Sequence, residues 1–453
     1  MSGKLQAGAA TANITPWLGV TVPGAVRTRT AQDVDDELLA RALVLDNGGT
    51  RIAMVTCDLI AMPQNIGDAV KERIQERCGI PPQHVMINAT HTHTAAGIED
   101  LLGTDGSPEY IDWVPLKIAD AVELATLRLT PARAGFGSVQ EDRIAFNRRW
   151  HLSDGTVKMN PGKDNPDLVK PTGPTDPELA MMYVEAENGD PISAVASYSL
   201  HYIGTDNGNA ISADYFGHFA RLMNHYLSDT CVPLLWNAAS GQINNIDFSG
   251  KRVWEDRGHV HAKKMAAVLA GHMITEIQLM DMQDELALSG ALAQFEFSRK
   301  RISSEDLEIA NKILSCPPGT YDQYDSGPFS WVVGHPIPPG TVDVYAQECV
   351  RLSKLPETMK APVQVLKIGE AAVVALPGEI FVETGLSIKS RSSARPLFIV
   401  SLANGYIGYV CTDEALVNEG GYETWAAISS LGAEGTAPAM EELAISLLQD
   451  IVT

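Results

Sequence analysis

The segment that most constrains the fold is a strand–helix–strand run between residues 41 and 93. In it, RALVLDNGGTRIAMVTCDL reads as two apolar strands joined by the turn Asp46-Asn47-Gly48-Gly49. A helix is predicted over about Asn65 to Cys78, with Ile66, Val70 and Ile74 on one face, Gly79 as its stop and Pro81 beyond. The short strand HVMINA follows and runs into Thr90-His91-Thr92-His93. Strand, helix and strand with short links make a parallel crossover unit. Asp58 then ends one parallel strand and His91 the next, so both are expected at the carboxyl edge of one sheet, where open α/β sheets place their ligands. Asp58 enters the candidate catalytic set on that ground.

The layout recurs. DPISAVASYSL is strand-like and ends at His201, and VQVLKIGEAAVVAL reads as a hairpin leading to Pro377-Gly378-Glu379. FVETGLSIKS looks helical, and PLFIVSLAN is an apolar strand that breaks just before Tyr406 and Tyr409. The polar, Pro- and Gly-rich stretches at 154–177 and 315–339 read as long loops over a site, because strand-like segments continue on both sides. They carry Lys158, Lys163, Lys170, Tyr321, Tyr324 and Trp331, residues suited to a polar ligand and equally at home in solvated loops. The expectation is one domain over 1–453, of α/β class, with mixed β-sheets flanked by helices. A regular (β/α)8 barrel is disfavoured, since the paired histidines follow at least three strands and no eightfold alternation is visible.

His91 and His93 are the strongest chemical signal. In an extended segment residues i and i+2 face the same side, so both imidazoles can reach one metal ion. An isolated pair of this kind also occurs as a strand cap. His201 alone reads as readily as a structural histidine, and Glu379 as a helix N-terminal carboxylate. Their shared position after apolar strands is what ties them together.

The formal charge of −22, from 34 basic and 56 acidic residues, argues against nucleic acid or an anionic membrane as partner. No stretch approaches the roughly 20 apolar residues that span a bilayer, and the first residues lack the apolar core of a secretory signal. The six cysteines form no CxxC pair and read as free thiols. A cytoplasmic protein with a small-molecule substrate is expected; homo-oligomerisation is left open.

In order along the chain, AGAATANITP, LLARALVLDN, VTCDL, NATHTHTAAG, FNRRW, DPISAVASYSLH, ISADYFGHFAR, ALPGEIFVETG and LANGYIGYVCTDEA with a following YET resemble the catalytic domain of the neutral/alkaline, non-lysosomal ceramidases. The similarity runs from Ala7 to about Leu448. The resemblance implies one Zn2+ held by two histidines, a glutamate and a tyrosine: His91, His201, Glu379 and Tyr409, with Tyr406 as rival for the last. It implies that His93, Arg148 and Tyr422 hold the substrate carbonyl and the developing oxyanion. The family's serine segment is altered here to Asn237-Ala-Ala-Ser-Gly-Gln-Ile-Asn-Asn-Ile246, which puts Asn244 at the serine position and Ser240 four residues early. The chain also stops where ceramidases continue into a C-terminal immunoglobulin-like domain. Three readings follow: a zinc hydrolase that uses a metal-activated water on a small polar substrate, with an amide-type C–N bond favoured; a zinc lyase or isomerase on a carbohydrate or hydroxy acid; and a binding protein with a relict metal site.

Overall fold

Strand β1 (Gln6–Asn13) pairs antiparallel with β2 (Leu39–Asp46), and β2 with β3 (Arg51–Cys57), while β4 (Val85–Ala89) lies parallel to β3. The crossover is helix α1 (Gln64–Cys78), which ends at Gly79 with φ 69°, a left-handed cap that glycine adopts without a Cβ penalty. The crossover unit therefore forms as its sequence demands. These coordinates of the molecule are a computed structural model, which describes residues 3–202, 204, 207–251, 258–317, 320 and 328–452.

The sheet continues through β5 (Thr130–Gln140), β6 (Glu178–Ala186), β7 (Pro191–Tyr198) and β8 (Val232–Asn237), in the order β8-β7-β6-β5-β1-β2-β3-β4. Only two residue pairs, Gln6–Pro131 and Ala7–Thr130, join β1 to β5. The two halves fold toward each other across this short seam: Trp236 Nε1 on β8 donates to Thr56 Oγ1 on β3 at 2.9 Å. A second sheet, β9 (Leu288–Ser298), β10 (Thr358–Ile368), β11 (Ala371–Ala375) and β12 (Leu397–Val400), packs on the same inward faces. Side-chain alternation sorts the core. On β2, Leu43 and Leu45 turn inward with Met54, Trp236, Val373 and Phe398. Ala40, Ala42 and Val44 turn outward to meet α1 and α2 (Pro108–Leu127).

Helices cover every outward face. α3 (Asp214–Tyr226) and α4 (Gly258–Ile277) pack on β6, β7 and β8. α5 (Ser304–Ser315) and α6 (Val342–Ser353) join the α1/α2 side. α7 (Val382–Ser390) and α8 (Thr436–Val452) close the outer face of the second sheet. Among the described residues, no helix is long and apolar enough to cross a membrane, and Cys57, Cys78, Cys231, Cys349 and Cys411 are in no disulfide.

The stretch at 154–177 differs from its reading as a loop. Val157–Met159 and Leu168–Pro171 pair with Arg149–Leu152 in a small antiparallel sheet. Strands of three or four residues are too short to leave a period in the sequence. In the 315–339 stretch, Tyr321 and Tyr324 lie outside the described residues.

The consequence for function is directional. There are three parallel pairs in these sheets, β3/β4, β7/β8 and β11/β12. The chain leaves β4 toward His91, β7 toward His201 and β11 toward Glu379, so carboxyl ends from both sheets meet at one place.

Candidate metal centre and its cavity

β4 ends at Ala89, and the chain then turns sharply: His91 has φ 71°, a left-handed conformation uncommon for a residue with a Cβ. The His-Thr-His segment is therefore not extended, contrary to the alternation argument. Its imidazoles converge because the backbone kinks, held by Thr90 N to Cys57 O and His91 N to Leu59 O, both 2.9 Å.

Backbone carbonyls fix two of the rings. His91 Nδ1 donates to Ile60 O at 2.5 Å and His93 Nδ1 to Gly24 O at 2.8 Å. Gly24 has no substitute there, since a Cβ would lie 2.6 Å from His93 Nδ1. With Nδ1 protonated in both neutral rings, both Nε2 atoms are bare, and they face each other at 3.2 Å. Glu379 Oε2 is buried and lies 3.2 Å from His91 Nε2. His201 Nε2 is 3.2 Å from His93 Nε2, while Arg148 Nη1 donates to His201 Nδ1 at 3.2 Å. The neutral His201 ring thus carries its proton on Nε2, and metal ligation through that atom would displace it.

The His93 and His201 rings are uncharged. Burial, reinforced by His91, pushes His93 down to about 3, and burial with His91, Arg148 and His93 holds His201 well below its ordinary value. Burial alone would raise Glu379, but His91 and the hydroxyls of Tyr409 and Tyr406 outweigh it, so the carboxylate stays ionised. Lone pairs of two imidazoles and one carboxylate thus point at one another in a buried site. Acceptors so arranged repel unless a cation lies among them, and imidazole with carboxylate is a donor set for a divalent metal. His91, His93 and His201 form the group that can hold a metal ion among the described residues.

The two tyrosines have different partners. The strands Glu379–Ile380 and Tyr409–Val410 pair in parallel, which sets Glu379 opposite Tyr409. Tyr406 Oη donates to Glu379 Oε1 at 2.8 Å, whereas Tyr409 Oη accepts from Arg148 Nη2 at 3.0 Å. Arg148 also donates from Nε to Glu423 Oε1 at 3.0 Å and from Nη2 to Gly241 O at 2.8 Å. Burial works against its charge, but Tyr409 and Glu423 more than offset that and hold the guanidinium ionised. The Tyr422 ring meets Tyr409 edge-on with centroids 5.7 Å apart.

His93, Arg148, His201, Tyr409 and Tyr422 all line one cavity of about 320 Å3, completed by residues that include Lys158, Asn160, His335, Tyr345 and Trp425. A larger open groove of about 1090 Å3 lies elsewhere, lined by Ala7, Arg128 and Arg221 among others, and contains none of the site residues.

Asp58 is not brought to this group. Its Oδ2 pairs with Arg41 Nη1 at 2.6 Å and accepts from Leu39 N at 2.9 Å, a buried clamp between β2 and the end of β3. Neither Ser240 nor Asn244 lines the cavity: Ser240 Oγ donates to Asn237 Oδ1 at 2.6 Å, and Asn244 Nδ2 to Asn160 Oδ1 at 2.8 Å. Glu423, Gly24, Asn160 and His335 were missed in the sequence. Of these Glu423 left a signal, because two adjacent arginines, Arg148 and Arg149, are both buried and both pair with it.

No family model matches the chain. It is 28% identical to the neutral ceramidase of Pseudomonas aeruginosa over 200 residues, which is 42% of this chain and 28% of that protein. It is 21% identical to neutral ceramidase A of Dictyostelium discoideum over 486 aligned positions, covering 88% of this chain and 66% of the relative. The chain thus spans less than two thirds of the length of these curated relatives. Superposed on the crystal structure of the P. aeruginosa neutral ceramidase, it gives a TM-score of 0.72 at 19% identity, covering 98% of this chain and 74% of the other. A ceramidase complexed with C2 gives 0.69 at 18% identity, covering 98% and 75%. In sequence the chain is similar to the neutral ceramidases, and it shares the mixed α/β fold of the solved ceramidase structures.

Proposed function

We propose that the chain is a zinc-dependent hydrolase acting on a small, polar, soluble substrate, with an amide-type C–N bond as the bond broken, and that it does not cleave ceramide. The observation that carries this reading is the set of bare Nε2 and carboxylate lone pairs of His91, His93 and Glu379, buried together beside a cavity that His93 and Arg148 line. His91, His201 and Glu379 would hold the ion, with Tyr409 as the fourth ligand. Zinc, when bound to such a set, supplies Lewis acidity and lowers the pKa of a bound water to about 7.

The side chains supply the rest. His93 Nε2 is bare because Nδ1 is engaged with Gly24 O, so it can accept a proton from the attacking water and return it to the leaving nitrogen. Arg148 is anchored on Glu423 and Gly241, which holds its charge at a fixed place to stabilise the oxyanion, with Tyr422 lining the same cavity. The polar atoms of Ser240 and Asn244 are engaged with other residues, which supports water over a covalent serine route. A cavity of about 320 Å3 is at the small end for ligand pockets and supports a compact substrate.

A zinc lyase or isomerase is the second reading. It is favoured by the lack of any serine or cysteine among the described residues that line the cavity. The zinc-loaded chain should be assayed on acylated amino sugars, uronic-acid glycosides, small amides and short- and long-chain ceramides, with products identified by mass. Addition of water across a soluble amide is expected. Elimination products would move the assignment to the lyase, and long-chain ceramide turned over faster than every soluble compound would overturn it.

A further inference from the structure

The cavity has an electrostatic character opposite to that of the protein as a whole. Acidic residues outnumber basic ones by 56 to 34. Yet the described residues lining the cavity include Arg148, Lys158 and His335, and no carboxylate. Arg148 is neutralised by Glu423. Lys158 is not: it stands half-buried on the strand Val157–Met159, and its ammonium has no hydrogen bond or ion pair among the described residues. It lies near enough to His335 to add to the effect of burial in lowering that imidazole.

Asn160 extends the same edge. It adopts φ 49°, donates its backbone N–H to Arg148 O at 2.9 Å, and accepts Asn244 Nδ2 on its Oδ1 at 2.8 Å. Those bonds fix the carboxamide of a residue that lines the cavity beside Lys158. An unpaired ammonium beside a fixed amide donor is an anion receptor, since charge-assisted hydrogen bonds are the strong ones.

We propose that Lys158, with the Asn160 amide, captures an anionic group of the substrate, a carboxylate or a phosphate, away from the bond that is broken. The enzyme then acts on compact acylated molecules that carry negative charge. This rests on the hydrolase reading for the scissile bond and is independent of it for the anion.

N-benzoylglycine, N-benzoyl-2-aminoethyl phosphate and N-benzoylglycinamide share one acyl amide and differ in charge. With the zinc-loaded chain, at least one anion should exceed the neutral carboxamide in kcat/KM by about 10- to 100-fold, the scale of a charge-assisted hydrogen bond. The anion that wins identifies carboxylate or phosphate as the source, and the margin should shrink as ionic strength rises. K158M should bring the ratio close to one with melting temperature and metal content retained, and K158R should keep most of it. Calorimetric titration with the same three compounds reads selectivity without turnover. Anion-selective binding with no hydrolysis therefore sinks the hydrolase reading alone. Equal binding of all three by the wild type, or a preference that K158M leaves intact, overturns the anion site.

Discussion

Arg148 and Lys158 reach the same cavity from neighbouring segments, yet the protein treats their charges in opposite ways. Arg148 is buried and tied to Glu423, Gly241, Tyr409 and His201, so every move of its guanidinium breaks a bond. Lys158 is half-buried and tied to nothing among the described residues. The base of the cavity is fixed by backbone carbonyls and buried ion pairs, and the wall that carries Lys158 is left with spare charge. Fixed geometry suits a group that must stabilise charge as it develops; spare charge suits one that meets a ligand.

The comparison can be broken most severely at Glu423. It is fully buried and pairs with both Arg148 and Arg149, at 3.0 and 2.9 Å. Glu423→Ala removes the carboxylate that pairs Arg148 and one of the two that pair Arg149, which keeps Glu419 at 3.0 Å. It should cost about 3–5 kcal/mol of unfolding free energy in a urea titration. A loss under about 1 kcal/mol, the scale of an exposed pair, would mean that the base is not built on this carboxylate.

Arg148→Ala should come next, lowering kcat/KM by about 100-fold or more with zinc retained, the usual scale for a group that stabilises an oxyanion. His93→Ala should lose about 100-fold through its proton-transfer role and also keep its zinc. Loss of the metal in His93→Ala would instead make His93 the third imidazole ligand.

A smaller effect is expected in pH. His93 is held down to about 3 when folded against 6.5 as its ordinary value, so the unfolded chain binds the extra proton between those limits. The stabilisation is complete above pH 6.5 and is lost as pH falls through that window, by at most about 1.4 kcal/mol per unit. Metal-free wild type should therefore lose stability on acidification more steeply than His93→Asn; parallel slopes would contradict a buried neutral ring. Smallest of all, Ser240→Ala should keep most of its activity, and inactivation with fold and zinc intact would revive a serine nucleophile.

Much of the scaffold was legible because apolar runs and turn residues mark it locally. The α1 crossover, the Gly369 hairpin and the strand before His201 all stand where the sequence puts them. Positions that depend on contacts across the chain were not. Asp58 looks like a sheet-edge acid until Arg41, on the neighbouring strand, is seen to claim it. The left-handed turn at His91 leaves no composition signal, and Gly24 matters only through the ring of His93. Lys158 read as one of several loop lysines; only the cavity singles it out.

The lone pairs of His91, His93 and Glu379 are arranged so that they can hold a metal ion, and metal content per chain tests this most directly. Protein purified without chelator should contain about one zinc by elemental analysis, as expected for a site with three or four protein ligands, and His201→Ala and Glu379→Ala should each abolish it. Full occupancy in both variants, or a folded wild type that takes up no divalent metal, would contradict the account.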